Sequence, residues 1–400
     1  YFIADDLSGA LDAAAAFHAV GKRVRIRLDP RPADPVDADE VLGYTTETRN
    51  LPAAQAAAVV RSLVEEHARR GARLRYKKID STLRGPVGAE VAAVMDALRE
   101  TLEVGRRAEI PVQVNHLKVT GAAQWGWSSR MLALLDSART AGMKVAVDVY
   151  PYTAYSTYSD LMFPPWALAD GAPAFAKRVA DPDTRARLVQ EMRVRFPQQA
   201  GAEPSSIQFR EVSFDASLAG KTLADYLVAT GQPVTLSAAV EALIALQLRG
   251  GFIGIFHGMD DADVARFLTH PGTMVETDGD LVTFGRGFPH PRSYGSFPRV
   301  LGTHVRERQQ LTLEAAVQRM TSLPAQWLGI RDRGTLAVGQ RADITVFNAE
   351  AITDRATYTA PHQWPEGIQL VAVNGTVVFE NGRMTGALPG AFLTRGRAAR

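Results

Sequence analysis

The sequence predicts an α/β protein made chiefly of parallel strand–helix units, and two patterns carry that reading. Short apolar runs alternate with longer amphipathic stretches at the spacing of successive βα units. After Gly334 the pattern turns to short β segments, with Asn374 and Gly375 placed as a hairpin turn. Composition agrees: 46% apolar and 22% charged residues suit a globular chain with a sizeable core.

The elements follow in order. Residues 1–4 read as a strand entering an acidic turn at Asp5 and Asp6. Residues 7–20 form a helix closed by Gly21, and 24–28 and 41–44 are further strands. Alanine-rich 53–70 carries the apolar stripe of a helix stopped by Gly71. Residues 74–77 lead into the segment KKIDSTLRG, followed by a helix over 87–99. After a helical stretch at 101–107, residues 111–115 make a buried-type strand that delivers His116 and Lys118 at its C-terminal end. Helix 129–141, strand 144–149 and the tyrosine-rich loop 150–157 come next. In a barrel of βα units, the residues just past strand C-termini form the active face.

Residues 161–236 are polar and proline-punctuated, and read as an insertion or side domain. Helix 238–247, strand 252–256, helix 260–268 and strand 274–276 restore the alternation, the last ending in Thr277, Asp278 and Gly279. A long loop is expected over 280–299. Helices at 313–320 and 324–328 precede strands at 343–347, 368–373 and 377–380.

Charge and cysteine content exclude several classes. Forty-five basic against 43 acidic side chains give a net charge of +2, which offers no electrostatic case for nucleic acid or an anionic membrane. The absence of Cys removes disulfides, thiol nucleophiles and cysteine metal ligands, leaving His and Asp as the material for a transition-metal site. No run of about 18 apolar residues is present to span a bilayer. The opening YFIADDLSGA reads as the interior of a domain rather than a signal peptide, so a cytoplasmic chain lacking its original start is expected. The partner expected is a small molecule; the sequence sets no oligomeric state.

His116 and Asp278, each at a strand end, are the strongest chemical pair. An imidazole nitrogen and a carboxylate oxygen suit zinc, and Asp278 alternatively suits the base that takes a proton from metal-bound water. The plain alternatives are a loop histidine and a turn or N-cap aspartate. Catalytic zinc ordinarily has three protein ligands, and His257, after the 252–256 strand, is the candidate third. His-x-His, HEXXH and CXXC are absent. His290 and His304 flank a loop in which Arg292 is suited to hold a substrate carboxylate, or is simply solvated. Tyr150, Tyr152 and Tyr155 serve either as a substrate wall or as packing. Lys78 and Arg84, beside the Ser81 and Thr82 hydroxyls, make a cradle for a carboxylate or phosphate, or a charged surface turn. The GKT at 220–222 lacks the upstream glycine of a P-loop, and GxGxxG is absent.

Two family resemblances run one after the other. YFIADDLSGALDAAAAF, TTETRN and YKKIDSTLRGPVGAE resemble the N-terminal domain of four-carbon acid sugar kinases over residues 1–97. That resemblance implies a sugar-acid-binding α/β domain with Asp5, Asp6, Arg49, Lys78, Asp80 and Arg84 on the substrate side. Nothing later in the chain resembles the ATP-binding half.

From residue 98 onward the chain resembles N-acyl-D-amino-acid deacylases (D-aminoacylases) of the amidohydrolase superfamily. The matching text includes VGRRAEIPVQVNHLKVTGAAQWGWS, VDVYPYTAYST, FHGMDDADV, TDGD, HPRSYGSFPRVLG, MTSLPAQWLGIRDRG and VNGTVVFENGRMTGALPG. The resemblance implies an amidohydrolase-type (β/α) barrel over 98–333, incomplete or composite, with a small β-sandwich over 334–400. It also implies zinc-dependent hydrolysis of the amide bond of N-acyl-D-amino acids. His116 then corresponds to a zinc-ligand histidine and Asp278 to the catalytic aspartate, with Arg292 and Tyr152 near the substrate. The family's first-strand His-x-His and bridging Cys fall in the stretch occupied here by kinase-like sequence. The chain therefore reads as a chimera with its seam near residues 97–101 and an impaired metal site. A sugar-acid-binding, ATP-dependent kinase fragment and a non-catalytic chimera are the alternatives.

Overall fold

The computed structural model describes residues 111–391 and 393, and before them only 2–4, 14, 23–28, 40–45, 59, 63, 76–78, 99, 102–103 and 105–106. Asp5, Asp6, Arg49, Asp80 and Arg84 lie outside the described residues, as do nearly all of the helices expected at 7–20, 53–70 and 87–99. Two units divide the chain: Tyr1–Ala97 with Phe163–Thr184, and Leu98–Met162 with Arg185–Arg400.

In the first unit, β1 (Phe2–Ala4), β2 (Arg23–Arg27), β3 (Glu40–Thr45) and β4 (Tyr76–Lys78) form a parallel sheet in the order β2-β3-β1-β4. The inner strand β3 is buried on both faces, with Leu42 and Tyr44 on one and Gly43 and Thr45 on the other, as a parallel strand covered on two sides requires.

The second unit contains a parallel sheet of three strands, β5 (Val112–Val114), β6 (Val145–Val149) and β10 (Thr273–Val275), ordered β10-β6-β5. All five residues of the central β6 are buried, including Asp148. Helix Ser128–Thr140 follows β5 and turns Met131, Leu132 and Leu135 inward. Its N-terminus is held from another helix. Asp263, 2% exposed, accepts from Gly126 N–H at 2.7 Å, from Ser128 N–H at 3.2 Å and from the Ser128 hydroxyl. These are donors that a helix end leaves unpaired. Asp263 itself sits in helix Asp261–Thr269, which Asp260 caps through the Ala262 and Asp263 amides. At the other end of that helix the Arg319 guanidinium donates to the carbonyls of Thr269, His270 and Thr273, a cation at the negative end of the dipole.

The strand expected at 252–256 is present as β9 (Ile253–Phe256), but it is not in the parallel layer. It pairs antiparallel with β7 (Tyr155–Tyr158) and β8 (Ile207–Glu211), two strands that sequence pattern had assigned to the tyrosine loop and to the insertion. Their mixture of Tyr, Ser, Gln and Arg hides a strand whose partner is distant in sequence. The loop expected over 280–299 also gives way in part. Helix Arg292–Arg299 starts after Pro291 and runs into a π-helical stretch, Val300–Glu307. The prolines suggested a loop, yet proline is accepted before a first helical turn, and the wide turns follow Pro298, which lacks an amide hydrogen.

In the C-terminal region β11 (Ile344–Phe347), β12 (Ile368–Val373), β13 (Thr376–Glu380) and β14 (Arg383–Met384) make an antiparallel sheet in chain order. Among the described residues this region holds that single sheet, not the two layers of the expected sandwich. Asn374 at φ 48° and Gly375 at φ 80° turn β12 into β13, as the Asn-Gly pair foretold. Among the described residues no helix is long and apolar enough to cross a membrane.

Candidate active site

The C-terminal ends of β5, β6 and β10 lie side by side and deliver His116 and Lys118, Tyr150, and Glu276 with Asp278. Ladder bonds continue past the strands: Leu117 N–H reaches the Asp148 carbonyl at 2.9 Å, and Glu276 N–H reaches that of Val149 at 3.0 Å. Loops from the antiparallel sheet close in as well, with Gly121 N–H on Gly258 O at 2.7 Å and Met259 N–H on Thr153 O at 3.1 Å.

His116 and Asp278 both have left-handed backbones, at φ 40° and 43°. Such geometry is unusual for residues with a Cβ and persists only where surroundings enforce it. At His116 the enforcing group is buried Asp148, whose carboxylate accepts His116 N–H and, at 2.6 Å, the Gln113 amide. At Asp278 the next turn is fixed by Gly279 N–H on the Thr277 hydroxyl at 3.2 Å and Asp280 N–H on the Ser293 hydroxyl at 3.2 Å.

Arg292, only 4% exposed, brings a cation to this turn. Its Nη1 lies 2.8 Å from Asp278 Oδ2, an ionic contact off the hydrogen-bond direction, and its guanidinium carbon lies 4.7 Å from the Tyr150 ring centre. Lys118 Nζ approaches the same ring at 5.7 Å and is 3.1 Å from His116 Nδ1. Burial pushes the Lys118 ammonium down to about 8, with Asp278 opposing and Arg292 adding to the fall. Burial likewise pushes the Glu276 carboxyl up to about 8, reinforced by Asp278 and Asp148. Asp148 is also raised by burial, its hydrogen bonds from His116 and Gln113 opposing.

Tyr152, predicted as a substrate-side residue, stands beside this cluster. Its hydroxyl donates to Asp354 at 3.3 Å, and Arg299 bonds the same carboxylate at 3.2 Å while donating to Pro151 O at 2.8 Å. Buried His290 is fully committed: Nδ1 accepts Arg292 N–H at 3.0 Å and Nε2 donates to Ala154 O at 3.0 Å. Burial and neighbouring Arg292 hold its pKa well below the ordinary 6.5.

His257 keeps different company from His116. Its ring packs edge-on against Tyr358 at 4.6 Å, its Nε2 faces Gln208 Oε1 at 3.4 Å, and burial lowers its pKa. His304 is bonded to Gln310 at 2.7 Å. The structure thus brings His116, Asp278, Arg292 and Tyr152 into one neighbourhood. Lys78 ends β4, and its side chain is outside the described residues. Beyond Asp278, the end of β8 and the loop 281–289 line an open cavity of about 460 Å³ that includes Arg210, Arg286 and Phe288.

Sequence reasoning did not single out Glu276, Asp148, Arg299, Asp354 or Tyr358 as site residues. Glu276 and Asp148 were legible in principle, as carboxylates at the ends of apolar strands. Arg299, Asp354 and Tyr358 join the site only through tertiary packing.

Residues 207–379 match the model of the Amidohydrolase family, and residues 1–113 match that of the Sugar-binding N-terminal domain. An N-acyl-D-glutamate deacylase of Alcaligenes xylosoxydans xylosoxydans is 38% identical over 287 residues, 72% of this chain and 49% of that protein. A D-threonate kinase of Bordetella bronchiseptica is 45% identical over 95 residues, 23% of this chain and 24% of the kinase. The crystal structure of the Bordetella bronchiseptica N-acyl-D-glutamate deacylase, solved with zinc and a phosphonate mimic of the tetrahedral intermediate, superposes with a TM-score of 0.60. Its identity to this chain is 30%, covering 89% of this chain and 66% of that one. These matches run one after the other along the chain, in agreement with the two resemblances read from its sequence. The chain spans about half the length of the curated deacylases it matches.

Proposed function

We propose that the chain acts on N-acyl-D-amino acids, as a hydrolase of their amide bond, with Asp278 as the proton-accepting residue. The observation that carries this reading is the Asp278–Arg292 pair at the end of β10. A carboxylate held beside a buried guanidinium at the mouth of parallel strands can take a proton from water. Arg292 and Lys118 offer positive charge to a substrate carboxylate or to the oxyanion that forms on attack. The acyl group is assigned to the cavity beyond Asp280, and Tyr152 to the pocket wall.

Zinc, present in the Bordetella structure, is proposed here with His116 as a ligand, whereas His257, expected as a further one, packs on Tyr358 and faces Gln208. The described residues alone do not fit it, since no three His, Asp or Glu side chains among them converge as a metal site. A complete ligand set requires residues outside those described, and impaired hydrolysis is the expected result without them. No step is therefore routed through the metal. For residues 1–97 we assign sugar-acid binding to Asp5, Asp6, Lys78 and Arg84, and for the whole chain a cytoplasmic location. Residues 98–333 are assigned to the barrel portion and 334–400 to the C-terminal β portion.

The test is release of free D-glutamate from N-acetyl-D-glutamate by the purified full chain, with zinc content measured on the same sample. Release that disappears in Asp278→Asn supports the reading. A folded protein that releases none overturns it.

A further inference from the structure

The loop 281–289 forms most of the wall of the open cavity beyond Asp280, with Arg210 and Glu211 at the end of β8 completing it. Both ends of the loop are fastened by their neighbours. Asp280 N–H donates to the Ser293 hydroxyl at 3.2 Å, and the Asp280 carboxylate pairs with Arg210 at 2.5 Å. Phe288 packs on Gly220, where a Cβ would fall 2.6 Å from its ring. Between these anchors Thr283–Gly287 are exposed, so the tip has no core to rest on. What holds the tip is His362, from the connection between β11 and β12. Its Nδ1 accepts Gly285 N–H at 3.1 Å and the Tyr294 hydroxyl at 2.8 Å, and its Nε2 donates to Gly287 O at 2.9 Å. An amide only donates and a carbonyl only accepts, so both ring nitrogens have fixed roles. Left-handed φ values of 77° at Gly285 and 72° at Gly287 let the chain double back so that both groups meet one ring. Alongside, Phe284 stacks on Trp364 with 5.0 Å between ring centres. The connection carrying His362 and Trp364 is closed at its base, where Thr353 and Glu366 exchange backbone hydrogen bonds of 3.2 and 3.0 Å.

We propose that His362 is a positioning residue for acyl-group selection: its two bonds to the loop backbone set the far wall of the cavity, and thereby the length of acyl chain bound. The hold on the loop stands on this geometry, whereas its use in selection rests on the deacylase reading. A volume of about 460 Å³ exceeds the needs of an acetyl group and falls in the range of small-molecule sites. Each methylene buried against a fixed wall adds to affinity, and a wall that must first be ordered gives that gain back.

The test combines two measurements on the full chain. Hydrogen exchange without ligand, followed by mass spectrometry, should run about tenfold or more faster over 281–289 in His362→Phe than in the parent. Equal rates overturn the hold. Calorimetric titrations with N-acetyl- and N-hexanoyl-D-glutamate are then made in an Asp278→Asn background, which suppresses turnover. The hexanoyl ligand should bind about tenfold or more tighter, and His362→Phe should cut that preference to about twofold with acetyl binding little changed. His362→Gln, which keeps one acceptor and one donor, should restore most of the preference. A preference that survives in His362→Phe overturns the assignment, as does equal weakening of both ligands or a parent with no preference. Should His362→Phe not fold, Trp364→Ala, which removes the Phe284 stack, must narrow the preference in the same way. A parent that binds neither ligand defeats the deacylase reading and the acyl role with it, and the exchange rates then decide the hold by themselves.

Discussion

Arg292 holds Asp278 from a helix start that follows β10 by a long loop, with Nη1 2.8 Å from Oδ2. The same guanidinium lies over Tyr150, at the end of β6. One side chain therefore couples the ends of two neighbouring strands to a helix N-terminus. Replacing it by lysine keeps the charge but loses the planar fork and its stacking. Arg292→Lys is expected to weaken binding of N-acetyl-D-glutamate by about tenfold or more, roughly 1.4 kcal/mol, in a calorimetric titration. Unchanged affinity would remove Arg292 from the substrate site.

Asp278→Asn separates chemistry from folding. Asparagine accepts the left-handed backbone at φ 43° as readily as aspartate, so the turn is preserved. D-glutamate release should fall by about 10²-fold or more while the circular dichroism spectrum and melting temperature stay close to the parent's. Equal turnover in parent and variant would show that the proton is accepted elsewhere.

Asp263 makes a structural prediction. Its carboxylate satisfies the N-terminus of helix Ser128–Thr140 while 2% exposed. Asp263→Ala leaves those amides without an acceptor in a buried place. A loss of about 2–4 kcal/mol is expected in urea unfolding. Gly121→Ala belongs with it: at φ 80°, a Cβ would lie 2.2 Å from the backbone oxygen of Gln198. Purified Gly121→Ala of parental stability would contradict the close approach.

Two buried groups give stability opposite slopes with pH. Glu276 binds its proton more tightly in the folded chain, with its carboxyl raised from 4.5 to about 8. Its contribution is thus complete below 4.5 and is lost as pH rises toward 8. His290 is the reverse: its folded pKa is depressed, so its contribution is present above 6.5 and declines as pH falls below it. Protonation there would also destroy the Nδ1 acceptor for Arg292 N–H. Melting temperatures followed across pH should fall less on the alkaline side in Glu276→Gln than in the parent. Parallel curves would refute the Glu276 slope.

Among the described residues, the parallel strands, the helices Ser128–Thr140, Leu236–Leu248 and Asp261–Thr269 and the Asn374-Gly375 hairpin were legible because each depends on short-range pattern. His116 and Asp278 were singled out because they end such strands, and the structure places them there. The sheet of β7, β8 and β9 was not, since its register joins segments far apart whose polar content masks alternation. His257 was expected at the barrel mouth for that reason, whereas it follows a strand of the antiparallel sheet and packs on Tyr358. The burial that perturbs Lys118 and Glu276 is equally invisible in sequence, because it is set by Tyr150, Asp148 and Arg292 arriving from other elements.

The left-handed backbones of His116 and Asp278 carry an evolutionary consequence. Glycine would occupy either position with less strain, so random drift tested only for a well-folded product runs toward glycine at both. Each such step would relieve the local backbone while deleting an imidazole or a carboxylate from the strand mouth. Side chains retained at these two positions in a lineage of such chains would therefore report selection on chemistry, and glycines appearing there would date its relaxation.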